Sequence, residues 1–182
     1  MKRAAAGNRG GSFMTAVAGT INSFARHNTP MVIRPARPED AEAACVVMRR
    51  SIVELCQLDH QNDAATVASW TANKTADTFR RWIEQSHVFV ATEADRVVGV
   101  AAIKDSGEIV LNYVSPDARF RGVSRALVRR LEQQARELGL RAVTLNSTKT
   151  AQRFYKSAGY RNTGEPTKGF GVADGYPMTK ML

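Results

Sequence analysis

The stretch from Val114 to Leu138 constrains this chain more than any other. An apolar segment, Glu108 to Val114, runs into Pro116, which has no N–H to give to a ladder and helps end a strand. A short basic loop with Arg119 and Arg121 leads to Gly122. Val123, Leu127, Leu131, Ala135 and Leu138 then recur at spacings of three or four, which predicts a long amphipathic helix. Gly139 stands where a left-handed residue would stop it. Strand, basic glycine turn and helix direct unpaired backbone N–H groups and a positive helix end at one point, where a phosphate or pyrophosphate fits.

Two chemistries that use such a turn fit poorly. The dinucleotide fingerprint needs three glycines and an acidic residue about 20 positions on. Only Gly122 is glycine here, and the next strand ends in Leu145-Asn146. Gly122-Val123-Ser124-Arg125-Ala126 also grazes a serine nucleophile elbow, but the elbow's histidine comes after its serine. His27, His60 and His87 all precede Ser124.

Arg119-Phe120-Arg121-Gly122-Val123-Ser124 resembles the Arg/Gln-x-x-Gly-x-Gly/Ala segment of the GNAT acyl-CoA N-acyltransferase superfamily. Val114-Ser115-Pro116 is similar to the Val-x-Pro that ends that family's fourth strand. Thr148 to Tyr160, with Ala151, Phe154-Tyr155 and Gly159-Tyr160, resembles its Asn-x-x-Ala-x-x-Phe-Tyr-x-x-x-Gly-Phe/Tyr signature. Ser124 and Thr148 depart from the family's residues; serine still leaves room for backbone approach. The resemblance covers Met31 to Leu182. It implies an α/β (α+β) fold with a mixed, mostly antiparallel central sheet, helices on both faces and a splayed strand pair that receives acyl-CoA. It also implies a bulge near the end of the strand Glu108 to Val114.

The formal charge of +9 raises a nucleic-acid reading. Lys2, Arg3, Arg9 and Arg26, however, fall in the first thirty residues, which hold no Asp or Glu. Arg119, Arg121, Arg125, Arg129 and Arg130 gather at the glycine turn instead, without a reader helix or interleaved aromatics, so no specific nucleic acid is expected. No apolar run approaches the ~20 residues of a spanning helix, and no membrane partner is expected. Cys45 and Cys56 read as one face of one helix, ~16 Å apart and beyond disulfide reach. No Cys/His spacing suggests a metal, and a reducing, cytoplasmic setting is expected.

Residues 1–30 lack sustained periodicity and read as a disordered or non-core extension, an upstream start ahead of Met31, or a basic targeting peptide. Residues 31–182 read as one N-acetyltransferase domain. Met31 to Arg34 predicts a strand, and Pro38-Glu39-Asp40 a helix start. Ala44, Val47, Met48, Ile52, Leu55 and Cys56 form an apolar helical stripe. Further helical segments contain Val67 and Trp70, then Phe79, Trp82 and Ile83, with a break near Asn73-Lys74. His87 to Ala91 and Val97 to Ile103 predict a hairpin. Ala142 to Asn146 predicts a strand and Thr150 to Ala158 a short helix. Turn residues Gly164, Gly169, Gly171 and Gly175 lead to a closing strand, Tyr176 to Leu182.

Acyl transfer from a thioester to an amine needs a held donor, a neutral amine, a polarised carbonyl and a proton for the leaving thiolate. The resemblance assigns acetyl-CoA as co-substrate and a small-molecule or protein amine as acceptor, and is compatible with a homodimer. Arg121, Gly122, Val123, Ser124 and Arg125 would hold its pyrophosphate, with Arg119 adding charge. Val114, Thr148, Ala151 and Phe154 would line the acyl-CoA site. Tyr155 is the candidate acid, because a phenol near ~10 stays protonated at neutral pH; a core aromatic is the other reading. Glu108 is the candidate base, directly or through water, or else a solvated strand end. Asp59, His60 and Asp63 are acceptor-site candidates or surface-loop residues. A catalytically degenerate acyl-CoA sensor and a basic nucleic-acid-binding protein are the alternative functions.

Overall fold

The computed structural model describes residues 30–168 and 174–182. The proposed N-terminal extension, apart from Pro30, and the turn glycines Gly169 and Gly171 lie outside the described residues. The elements run β1 (Val32–Pro35), α1 (Ala41–Arg50), α2 (Gln57–His60), α3 (Ala64–Thr71), α4 (Ala76–Gln85), β2 (His87–Glu93), β3 (Arg96–Ile103) and β4 (Glu108–Val114). They continue with α5 (Val123–Glu137), β5 (Ala142–Ser147), α6 (Gln152–Ser157), β6 (Arg161–Asn162), β7 (Thr167–Lys168) and β8 (Asp174–Met181). The strands form one sheet in the order β1-β2-β3-β4-β5-β8-β6, with β7 on β8. Its ladders are antiparallel apart from the parallel β4–β5 pair. The mixed, mostly antiparallel sheet expected from the resemblance is therefore present.

Period-two alternation sends β3 side chains to both faces. Ala101 and Ile103 pack with Leu127, Val128 and Leu131 of α5, whereas Val100 and Ala102 pack with Ala44 and Met48 of α1 and with Phe79 of α4. Helices thus cover both faces. Gly99 permits the close approach of α5: a Cβ there would lie 2.7 Å from Val123 Cγ1 and 2.9 Å from Leu127 Cδ1. The C-terminal strand is tied to α5 by charge. Glu132, buried, accepts from Lys180 Nζ at 2.8 and 3.0 Å and from the Tyr160 hydroxyl at 3.2 Å.

Two details differ from the sequence reading. Helix α1 does not carry Cys45 and Cys56 on one face, because Ser51–Leu55 forms a π turn. The extra residue per turn rotates the chain beyond it, so Cys45 joins the α1/α4 core while Cys56 packs with Ile52 and Trp70. The bulge of β4 also lies early in the strand. Ala102 pairs with Leu111 and Ile103 with Ile109, leaving Val110 as the extra residue.

Candidate active site

The early bulge matters because the β4–β5 ladder stops there. Glu108 pairs with Thr144 and Ile109 with Leu145, and beyond them the two strands continue unpaired. A cleft of about 800 Å³ opens between the separated strands. Val114, Thr148, Ala151, Phe154 and Tyr155 line it, as do Arg119, Gly122, Val123, Ser124 and Arg125 from the turn before α5.

Gly122 is the N-cap of α5 with φ 83°, a left-handed conformation that suits glycine, and a Cβ there would meet nothing within 4 Å. Among the described residues no side chain caps the helix, and its first closing bond runs from Ala126 N to Gly122 O at 3.0 Å. The first-turn amides therefore have no intrahelical partner and sit beside open space. Around them, the Arg119 guanidinium lies 4.5 Å from the ring of Phe120, a residue 89% exposed. Arg125 donates to Ser157 Oγ at 3.5 Å, and Arg153 of α6 also lines the cleft. Arg121 does not join them: its guanidinium pairs with Glu93 at 2.8 Å and fastens the loop to the β2–β3 turn.

Tyr155 is only 6% exposed and packs edge-on against Phe154 and Tyr160, with ring centroids 5.0 and 5.4 Å away. Phe154 is half-buried, so the neighbouring rings do differ in burial as helical geometry requires. Asn112 Nδ2 donates to Tyr155 Oη at 3.1 Å, which leaves the phenolic proton free of that contact. Burial pushes the phenol up to about 12, against the smaller opposing effect of the Asn112 bond. The Asn112 carbonyl oxygen is buried with no hydrogen-bond partner among the described residues, an acceptor left in the cleft wall. An amide interrupting the run Ile109-Val110-Leu111 was the available sequence signal for Asn112. Cys56, another lining residue, has its thiol pushed up to about 12 by burial.

Glu108 does not reach the cleft. It sits at the closed end of β4, opposite Thr144, and its carboxylate accepts from Lys104 Nζ at 2.7 Å across the preceding turn. The loop candidates are also occupied structurally. His60 is buried, with Nδ1 accepting from Asn62 N at 3.0 Å and Nε2 placed 3.1 Å from Ile52 O, a carbonyl of the π turn. That pairing selects the tautomer with the proton on Nε2. Asp63 caps α3, accepting from Thr66 N and Oγ1 at 2.7 Å each. Asp59 spans the molecule instead, accepting from Lys149 N at 2.6 Å and from the backbone and hydroxyl of Thr150. Thr148 Oγ1 accepts from Ala151 N at 3.1 Å, so threonine keeps a side-chain-to-backbone bond in the turn before α6. The Asp59 and Thr148 bonds fix the turn that leads into α6, the helix that carries Tyr155.

No curated protein matches the chain. Residues 57–182 match the family model described as an acetyltransferase (GNAT) domain. A GCN5-related N-acetyltransferase from Rhodopseudomonas palustris is 26% identical, with a TM-score of 0.76 over 83% of this chain and 95% of its own. PaiA N-acetyltransferase from Thermoplasma acidophilum, solved with coenzyme A, shares the fold at 16% identity and a TM-score of 0.69, over 84% and 99%. YncA from Salmonella typhimurium, solved with acetyl-CoA, does so at 22% identity and 0.61, over 84% and 94%. The open β4–β5 edge, the glycine turn before α5 and the match over residues 57–182 agree, and the chain belongs to the GNAT acetyltransferase family.

Proposed function

We propose that this N-acetyltransferase moves an acetyl group from acetyl-CoA to the primary amine of a small molecule, by direct attack of the amine on the thioester. The observation that carries the reading is the end of the β4–β5 ladder after Ile109 and Leu145, with Tyr155 lining the cleft beyond it. The unpaired edge of β4, including Val114, offers backbone groups to the pantetheine amides. The first-turn amides at Gly122, Val123, Ser124 and Arg125 take the pyrophosphate, with Arg119 and Arg153 as additional cations. Thr148, Ala151 and Phe154 form the facing wall. The neighbours solved with coenzyme A and acetyl-CoA support this choice of co-substrate.

In the transfer, the amine nitrogen forms the new bond to the acetyl carbon as the carbon–sulfur bond breaks. Tyr155 gives its hydroxyl proton to the departing thiolate, and a proton from the attacking amine returns to the phenol through water. Cys56, held as a thiol, is a poor nucleophile, which favours direct transfer over an acyl-enzyme. No carboxylate or imidazole lines the cleft among the described residues, so water rather than Glu108 carries the amine proton away.

The catalytic domain spans residues 31–182, and a chain begun at Met31 keeps its fold and acetyl-CoA affinity. Free, buried Cys45 and Cys56 fit a cytoplasmic setting. A CoA-release assay across simple amines, aminoglycosides, amino acids, polyamines and lysine peptides tests the assignment, together with a thermal shift on adding acetyl-CoA. Turnover restricted to lysine peptides would move the acceptor to proteins. Binding without turnover of any amine would reduce the protein to an acyl-CoA sensor.

A further inference from the structure

A second cavity, of about 520 Å³, lies between α3, α4 and β4. Trp70, Trp82, Val110 and Leu111 supply apolar walls, and Lys74 lies among them. Lys74 belongs to the link between α3 and α4, where the sequence pattern breaks and a lysine is expected to reach water. It is instead 6% exposed. Its ammonium donates to the neutral amide oxygen of Asn73 and lies 5.5 Å from the centroid of the Trp82 ring. No carboxylate acts on it among the described residues, and burial holds it down to about 8. Lys104 also lines the cavity but is already paired with Glu108.

An ammonium removed from water without a counterion is costly, and a bound anion would offset that cost. We propose that this cavity binds a small ligand joining a carboxylate to an apolar body, with Lys74 as the carboxylate's anchor and the two indoles enclosing the body. With Lys104 already neutralised by Glu108, one compact cation is left to the chamber and suits a single negative charge. A phosphate dianion would bring more desolvation than Lys74 offsets. The site is separate from the acyl-CoA assignment, because its lining includes neither the α5 turn nor Tyr155. Val110, Leu111 and Tyr113 of β4 nevertheless border both cavities, so an occupant touches the strand that would hold the acyl donor.

The chain's two tryptophans both line this cavity, which makes intrinsic fluorescence a direct reporter. The full-length protein is titrated with acetate, butyrate and 4-methylpentanoate, and with 4-methylpentanamide as the neutral counterpart. The expected result is a saturable emission change that tightens along the acid series and is at least tenfold weaker for the amide. Lys74→Met, checked for folding by circular dichroism, should weaken 4-methylpentanoate at least tenfold. Equal binding of acid and amide overturns the proposal, as does a folded Lys74→Met protein that binds the acid like wild type. So does an absence of saturable change up to about 10 mM, beyond the millimolar range of weak sites. Should Lys74→Met fail to fold, the acid and amide titrations of the wild-type protein decide alone. None of these readings uses acetyl-CoA, so they stand or fall independently of acetyl transfer.

Discussion

Tyr155 and Lys74 are both removed from water, and the same desolvation affects them in opposite practical ways. Burial disfavours the charged form of each group. For Tyr155 this fixes the proton in place, up to about 12; for Lys74 it loosens the proton, down to about 8. The surroundings differ accordingly. The proposed acyl-CoA cleft would meet anionic charge with helix amides and rim arginines that stay near solvent, whereas the second cavity would rely on one enclosed ammonium. A buried phenol tolerates isolation because its resting form is neutral. A buried ammonium needs a partner.

The largest expected effect tests the phenol. Tyr155→Phe keeps the ring packing against Phe154 and Tyr160 while deleting the transferable proton, so kcat should fall roughly 10²-fold or more, with acetyl-CoA affinity nearly unchanged. A thiol of ordinary pKa near ~8.5 lies some 3.5 units below Tyr155, an uphill proton transfer of about 5 kcal/mol unless the bound thiolate is itself desolvated. If Tyr155 is the acid, its proton would move late, once the carbon–sulfur bond is nearly broken. A Phe variant with normal kcat would return Tyr155 to the core.

The next test breaks the ammonium side. Lys74 has a native pKa below its unfolded one, so its desolvation cost is fully present below about 8 and vanishes above the unfolded value of ~10.4. The stability of the wild type relative to Lys74→Met should therefore rise between those limits, by about 2 kcal/mol, in urea melts run across the range. At neutral pH without ligand, the Met variant should be the more stable protein. A difference independent of pH would mean that Lys74 is adequately solvated.

A smaller effect separates the cleft's amides from its arginines. Gly122→Val should weaken acetyl-CoA about tenfold by calorimetry, since branched methyls occupy the space the pyrophosphate needs. The strained left-handed backbone adds a stability loss of roughly 1–2 kcal/mol. Gly122→Asn, whose side chain tolerates that backbone, should recover much of the stability but less of the affinity. Unchanged affinity in both variants would leave the arginines as the pyrophosphate site.

What sequence made legible was local. Periodicity located α5, Gly139 stopped it, two apolar runs located the β2–β3 hairpin, and two motifs marked nearly half of the residues that line the cleft. The failures were nonlocal. Whether Glu108 faces a cleft depends on where β5 leaves β4, and no residue near Glu108 records that. The apolar stripe Val47, Met48, Ile52, Leu55, Cys56 reads the same through an α or a π turn, so the reorientation of Cys56 was hidden. Asp59 and His60 looked like free loop polarity because their partners are Lys149, Thr150 and the Ile52 carbonyl. Lys74 was hidden because hydropathy assigns a lysine at a helix break to solvent.

Strand β5 shares only two register pairs with β4 but six with β8, which the ribosome makes later. At roughly 5–20 residues per second, the chain between Ser147 and Asp174 takes a few seconds to synthesise. Until β8 docks, β5 presents the edge of its six-pair ladder without a partner, the kind of segment that recruits other strands. The arrival of β8 covers that outer edge and leaves the β4–β5 opening as it was, so one strand ends the risk of aggregation without closing the cleft.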